Sequence, residues 1–225
     1  MKPRHVIRSI ARLGNLLLFA WRRSPRSLAA AAVRRLRRWA WSREVMIVYR
    51  ADAQSSSEDL VPFRVVRPGS HWDALEDFAL YTGSDWRLSR AAILAEAGRR
   101  LADGEHSFTV VEEGVLAHYH WLQLGRTEII FPEFGVSYPV PQGSAISYGA
   151  YTEPRLRGRG LHHLSARETV HTAFALGAEQ IFSGVIETNL ASRRAIEGAG
   201  YRPVSRILCV RHLGRRRIRS DAPYP

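Results

Sequence analysis

Apolar residues along this chain recur with two periods, and the change from one to the other marks out the elements. From residue 44 onward, short runs of alternating or continuous apolar residues predict strands at 44–50 and 63–66. Helical spacing follows at 70–81 and 86–101, and Ser70 with Asp73 three residues on has the spacing of a capping box. Strands at 107–111 and 115–124 flank the turn-forming Glu112, Glu113 and Gly114, which predicts a hairpin. A further strand is expected at 127–131, and the Pro- and Gly-containing stretch 132–143 reads as a loop. Next come a strand at 145–152, a helix at 161–176 ending at Gly177, and a strand at 180–186. A short helix at 191–199 stops at Gly200, a usual helix terminator. Strands at 201–204 and 207–212 close the pattern, and the basic tail from Gly214 reads as frayed. Helices interspersed among this many strands predict an α/β chain with a mixed sheet.

Charge divides the chain differently from hydropathy. Residues 1–43 hold twelve Lys and Arg and no Asp or Glu. The remaining 182 residues hold 33 − 12 = 21 basic side chains against 21 acidic ones, so the net charge of +12 belongs to the start of the chain alone. Three segments follow: a basic helical extension at 1–43, a neutral body at 44–213 and a basic tail at 214–225. In the extension, Ile7, Ile10, Leu13, Leu17 and Leu18 recur at helical spacing among arginines, and Leu28, Ala32, Val33, Leu36 and Ala40 do so again after Pro25. Trp21, Trp39 and Trp41 lie near the ends of these stretches. Such helices fit an anionic membrane surface or a membrane-bound assembly. The same charge fits nucleic acid, an organelle transit peptide, or helices that only pack on the body. No apolar run reaches the ~18 residues of a spanning helix, so the expected location is cytoplasmic, with possible peripheral contact to the inner face of the membrane. The single cysteine, Cys209, lies in a strand-like run and reads as a buried structural thiol. The nine histidines form no pattern of metal-ligand spacing, and no metal is expected.

Chemistry concentrates between the strand at 145–152 and the helix at 161–176. Arg155, Arg157, Gly158, Arg159, Gly160 and Leu161 form a Gly-rich turn there. Glycines let a backbone approach a ligand closely, and the free amides of a helix start cradle phosphate oxygens. The following strand ends at Glu187, Thr188 and Asn189, and a short helix containing Ser192 precedes Gly200 and Tyr201. The order strand, Arg-Gly-x-Gly turn, helix, strand, Asn, helix, Gly-aromatic resembles the GNAT superfamily of acyl-CoA-dependent N-acyltransferases over roughly 144–204. The resemblance implies a mostly antiparallel sheet splayed between the strands at 145–152 and 180–186, with acetyl-CoA or another acyl-CoA as co-substrate. It implies that the diphosphate of coenzyme A rests on Arg157, Gly158, Arg159, Gly160, Leu161 and His162, with Asn189 near the pantetheine arm and Ser192 beside it. His162 stands where the pattern has Gly or Ala, and Ile196 stands where many members carry the Tyr that protonates the departing thiolate.

Glu153, at the mouth of the turn, is the first candidate for the base that deprotonates the attacking amine. Glu133, Glu187, His118 and His120 follow it. Tyr148 and Ser192 are candidates for the acid, with Tyr151 and water as alternatives. His118 and His120 share one strand face with Leu122, which either points into an acceptor cleft or leaves them as solvated or core-rim histidines. The implied activity is transfer of an acyl group to a primary amine on a small molecule or a lipid-linked acceptor, such as an amino sugar or a cell-envelope precursor. The rival readings are a non-catalytic adaptor that keeps the fold and a nucleic-acid-associated acyltransferase.

Overall fold

The structure, a computed structural model, describes residues 40–53, 66–69, 74–83, 89–132 and 134–221. The amphipathic helices expected before residue 40, the capping box at 70–73 and Glu133 lie outside the described residues. The chain forms two compact units. The larger holds Val45–Ile207 and the chain from Ser220 onward; the smaller holds residues 40–44 with Leu208–Arg219.

Ten strands and four helices are described. The strands are β1 (Trp41–Asp52), β2 (Val66–Gly69), β3 (His106–Glu112), β4 (Val115–Leu124), β5 (Glu128–Phe131), β6 (Val136–Pro139), β7 (Ser144–Thr152), β8 (Gln180–Ile186), β9 (Arg202–His212) and β10 (Arg215–Ser220). The helices are α1 (Leu75–Ala79), α2 (Arg90–Ala102), α3 (Leu161–Ala175) and α4 (Leu190–Gly198). The strand expected at 63–66 is observed at Val66–Gly69, and the helix expected from 86 starts at Arg90, where the Ser89 hydroxyl accepts the Ala92 amide at 3.2 Å. The strands expected at 201–204 and 207–212 are one strand, β9.

In the larger unit the sheet runs β9-β1-β8-β7-β4-β3-β2, and every pair with a described register is antiparallel except β7 with β8. The loop expected at 132–143 contains β6, which pairs with β5 in a second, two-stranded sheet. That hairpin buries Ile129, Phe131, Phe134, Tyr138 and Val140. The Phe131 ring sits on β8 where Gly184 has no side chain: a Cβ there would lie 2.2 Å from the ring. In the smaller unit, β9 turns through Leu213 and Gly214 into β10, and the Leu213 amide donates to the Ala40 carbonyl at 3.0 Å. The tail expected to fray is thus a strand over Arg215–Ser220, although all six of its residues are exposed.

Helices cover both faces of the main sheet. On one face α1 and α2 bury Phe78, Tyr81, Ile93, Ala97 and Leu101 against Leu116, Tyr119 and Trp121. Phe78 stacks on Trp121 with ring centroids 5.3 Å apart. On the other face α3 lies over β4 and β7. His118 and His120 of β4 point under α3 and are buried, so of the readings offered by the sequence the core position is nearest, and neither an acceptor cleft nor solvent holds them. The His118 ring stacks on His162 at 5.5 Å, and His120 meets His162 edge-on at 5.5 Å. Hydroxyl groups supply the polar partners. His118 Nδ1 bonds Thr152 Oγ1 at 2.8 Å, and His120 bonds Ser147 Oγ at 3.1 Å and Thr169 Oγ1 at 3.4 Å. Burial, with repulsion of His118 and His120 by His162 and of His162 by His163, holds all three imidazoles neutral: His118 is pushed down to about 3, His162 to about 4, and His120 well below the usual histidine range.

Two predictions follow from this packing. Histidines held below their unfolded pKa of about 6.5 stabilise the fold above that pH and lose the contribution as pH falls toward their folded values. Below pH 6 the three should together make stability fall by up to ~4 kcal/mol per pH unit. Urea midpoints measured across the range should show it, and His118→Gln should reduce the slope by about one proton; a slope unchanged by that variant would contradict the neutral cluster. Gly184→Ala should cost ~1–3 kcal/mol by forcing the Phe131 ring aside. Phe131→Leu in the same chain should recover part of the loss, and a wild-type midpoint for Gly184→Ala would mean that the ring is not seated there.

Candidate active site

The parallel pairing of β7 and β8 is short. Ser144–Ser147 pair with Gln180–Ser183, and the ladder stops there. Beyond that point β7 stays with β4, through Thr152 opposite His118, whereas β8 stays with β1, through Ile186 opposite Met46. The two strands therefore part at Ser147 and Ser183, as the expected splay requires. A bulge accompanies the parting. Trp121 pairs with Tyr148 but Tyr119 pairs with Tyr151, so one extra residue of β7 lies within Gly149 and Ala150. Gly149 has φ +67, a conformation natural to glycine at such a bulge. A second bulge in β4 leaves Ala117 unmatched between Leu116 and His118, and its carbonyl takes the Glu153 amide at 2.9 Å.

The Gly-rich turn follows directly. Pro154–Leu156 form one 3-10 turn, and Gly158 and Gly160 have φ of +83 and +77. The first intrahelical bond of α3 runs from the Leu164 amide to the Gly160 carbonyl, so the amides of Leu161, His162 and His163 have no acceptor within the helix. A Cβ added at Gly158 or Gly160 would meet nothing within 4 Å, which leaves the outside of the turn open. Leu161 fastens the turn from inside by packing with Val110 and Ala117. His162 occupies its position without crowding the turn because its ring points inward onto His118. Arg157 Nε donates to the Thr152 carbonyl at 3.2 Å, and Arg159 pairs with Glu112 at 3.0 Å across an exposed surface. Arg155 is exposed.

At the end of β8, Asn189 is the N-cap of α4 and its side-chain oxygen accepts the Ser192 amide at 3.3 Å. The helix is tied to β1 by Tyr49, whose hydroxyl donates to Glu197 at 2.6 Å and accepts from Arg193 at 3.0 Å. It is tied to the first turn of α3 by His163, whose Nδ1 bonds the Ala195 carbonyl at 3.1 Å. Ile196 is buried in its underside, and the Tyr201 amide donates to the Ile196 carbonyl. The turn at 157–162 and the pair Asn189 and Ser192 thus stand just past the ends of the two strands that diverge. That is where open α/β sheets bind ligands.

The remaining candidates fall on either side. Tyr148 is the first residue of β7 beyond the last pair with β8, and it faces α2. Its hydroxyl donates to Glu105, and the Arg100 guanidinium lies 4.7 Å from its ring centroid. Burial raises the pKa of Glu105, against the opposing effects of the Tyr148 bond and Arg100, and Gln123 donates to its other oxygen at 3.3 Å. Burial also raises the pKa of Tyr148. Glu153 is buried and accepts the Tyr151 hydroxyl at 3.3 Å. Glu187 is held by Arg206. Tyr201 is buried with its hydroxyl unpaired beside the Ser147 side chain, and burial raises its pKa.

Glu105, Phe131 and the Gly149 bulge escaped the sequence reading. Only the bulge has a signal there, an isolated glycine inside a strand pattern. Among the described residues, no group of three or more His, Cys, Asp or Glu side chains converges as a metal site, and no helix is long and apolar enough to cross a membrane.

No protein-family model matches the sequence, and no curated protein is similar enough to match it. Solved structures do match. A GNAT-family acetyltransferase from Colwellia psychrerythraea superposes with a TM-score of 0.52 at 15% identity, covering 75% of this chain and 56% of the other. A putative GNAT-family acetyltransferase from Novosphingobium aromaticivorans gives 0.50 at 20% identity, covering 75% and 63%. A tandem GNAT protein from the clavulanic acid biosynthesis pathway gives 0.52 at 13% identity, covering 76% and 54%. The matched region spans a little over half the length of each of these proteins. The splayed sheet, the β7 bulge and the Gly-rich turn, together with these superpositions, establish that the chain has the fold of the GNAT acetyltransferases.

Proposed function

We propose that the protein is an acyl-CoA-dependent N-acyltransferase, with acetyl-CoA as the simplest donor and a primary amine as the acceptor. One observation carries the reading: a four-residue parallel ladder opens next to a glycine turn whose three amides are unanswered within the helix. In this reading the diphosphate rests on the amides of Leu161, His162 and His163, with Arg155 and Arg157 beside them. The pantetheine arm runs past Asn189 into the gap between β7 and β8. When bound, acetyl-CoA supplies an acyl group already activated as a thioester.

The chain's residues then have three tasks. An amide of the Gly149–Ala150 bulge, outside the regular ladder, meets the negative charge that develops on the acyl oxygen. The amine's proton passes to a carboxylate, either Glu153 beside the turn or Glu105 through the Tyr148 hydroxyl. Burial favours the protonated form of Glu105 and so strengthens it as an acceptor. The thiolate leaves with a pKa near ~8.5 and needs only a weak donor, for which the Ser192 hydroxyl at the start of α4 is placed. Acceptors near an anionic membrane surface are favoured because the basic extension would hold the enzyme there, and lipid-linked amines and cell-envelope amino sugars have that location. A non-catalytic adaptor is the second reading. Its support is the apolar Ile196 at the position of the usual acid and the burial of Glu153.

Titration with acetyl-CoA separates the two readings, because an adaptor with a decayed site gives no saturable binding. Gly160→Glu places a carboxylate beside the diphosphate and should weaken binding at least ~100-fold, about 2.7 kcal/mol. Gly160→Ala meets no neighbour and should cost only the modest strain of a left-handed Cβ. Equal effects of the two would argue against a phosphate at this turn. Tyr148→Phe and Glu105→Gln should each lower kcat ~10²-fold or more with little change in KM. A wild-type kcat in both would transfer the base to Glu153, where Glu153→Gln should then remove the acidic limb of the rate profile.

A further inference from the structure

The hairpin joining β9 to β10 breaks a turn rule in a way that has a use. Leu213 and Gly214 both have positive φ, +48 and +75, the signature of a two-residue type I′ turn. Asn, Asp or Gly are the residues suited to the first of these positions, and a leucine there is strained. Its side chain gains nothing from the fold in return, since Leu213 is 56% exposed. Two more large apolar side chains of the same unit are also exposed: Trp41 at 62% and Ile218 at 37%. The bond from the Leu213 amide to the Ala40 carbonyl holds the turn beside the residue that precedes Trp41. Around them Arg215, Arg216, Arg217 and Arg219 are all exposed, and among the described residues none of the four takes part in a salt bridge.

We propose that this tip is a docking surface for an anionic lipid bilayer. Leu213, Trp41 and Ile218 would enter the headgroup and acyl boundary, and the four arginines would lie against the lipid phosphates. The combination decides between partners. A row of arginines alone fits RNA as well as lipid, because both present phosphates. A strained, exposed leucine at the point of a turn adds nothing to phosphate binding, whereas an apolar wedge flanked by Arg and Trp is what an interface between water and hydrocarbon selects. Residues 1–39, which hold eleven basic and no acidic side chains, join the described chain at Ala40, the residue whose carbonyl the Leu213 amide meets. The inference does not depend on the proposed acyl-transfer activity.

The test uses the full chain and vesicles of phosphatidylcholine with or without phosphatidylglycerol, read by co-sedimentation. Leu213→Asn removes the wedge and installs a residue suited to the turn. It should therefore raise the melting temperature while lowering affinity for the anionic vesicles about tenfold or more. Arg215→Gln with Arg217→Gln should weaken vesicle binding and its dependence on salt. Acetyl-CoA titration of the same variants should match the wild type, which keeps a failure here distinct from a failure of the acyltransferase reading. Unchanged vesicle binding by Leu213→Asn would overturn the proposal. So would binding of single-stranded RNA, and not vesicles, that falls when the two arginines are replaced.

Discussion

The structure turns on the failure of two parallel strands to stay paired. A parallel ladder of ordinary length between β7 and β8 would close the centre of the sheet. Here it ends at Ser147 and Ser183, and beyond that point each strand follows the partner on its other side, β4 for β7 and β1 for β8. The bulge at Gly149 adds local twist and carries β7 away, and a side chain there would press on two neighbours. A Cβ on Gly149 would lie 2.9 Å from Arg100 and 3.2 Å from Trp121. The candidate site residues are arranged around that parting: the glycine turn after one strand, the start of α4 after the other, and Tyr148 at the branch point.

The opening is held by interactions on both faces of the sheet. Under α3 a cluster of neutral imidazoles and hydroxyls links β4, β7 and the helix, and Ser183 Oγ donates to the Ser147 carbonyl at 2.9 Å at the last paired position. Through His163 and Tyr49 the same region is joined to α4 and β1. On the opposite face the Arg100 guanidinium lies over both Trp121 and Tyr148, and Tyr148 reaches Glu105. A polar core of this kind is costly unless its members are paired. His162 stands in the first turn of α3 with its ring turned inward, packed on His118 and His120.

Much of this was legible in the sequence, for identifiable reasons. Strands 107–124, 145–152 and 180–186 carry strong β-formers between clear turn residues, and the Gly-rich turn is contiguous, so its parts needed no tertiary information. The errors share a cause. The roles of His118 and His120 depend on Thr152, Ser147 and Thr169, which lie 34, 27 and 49 residues away. Local pattern cannot reveal such partners, so two polar residues on a strand read as facing a cleft, water or the rim of the core. β6 was taken for loop because four residues flanked by Pro and Gly give little periodicity, and its Tyr138 is buried only by the company of β5. β10 has no buried face at all, so an alternation of arginines with one isoleucine gave no sign of a strand. Glu105 stands just before β3 and looks like a surface acid. Its partner Tyr148 comes from 43 residues downstream.

The placement of Phe131 bears on how such a scaffold can vary. The ring belongs to a self-contained ribbon inserted between β4 and β7, whose own pairing, Leu124 with Ala145, is already complete at the insertion point. Lengthening, shortening or resculpting that ribbon would alter what covers the Gly184 side of the gap without shifting the register of any strand that forms it. A module spliced into one joint of the sheet can thus vary while the two diverging strands keep their alignment.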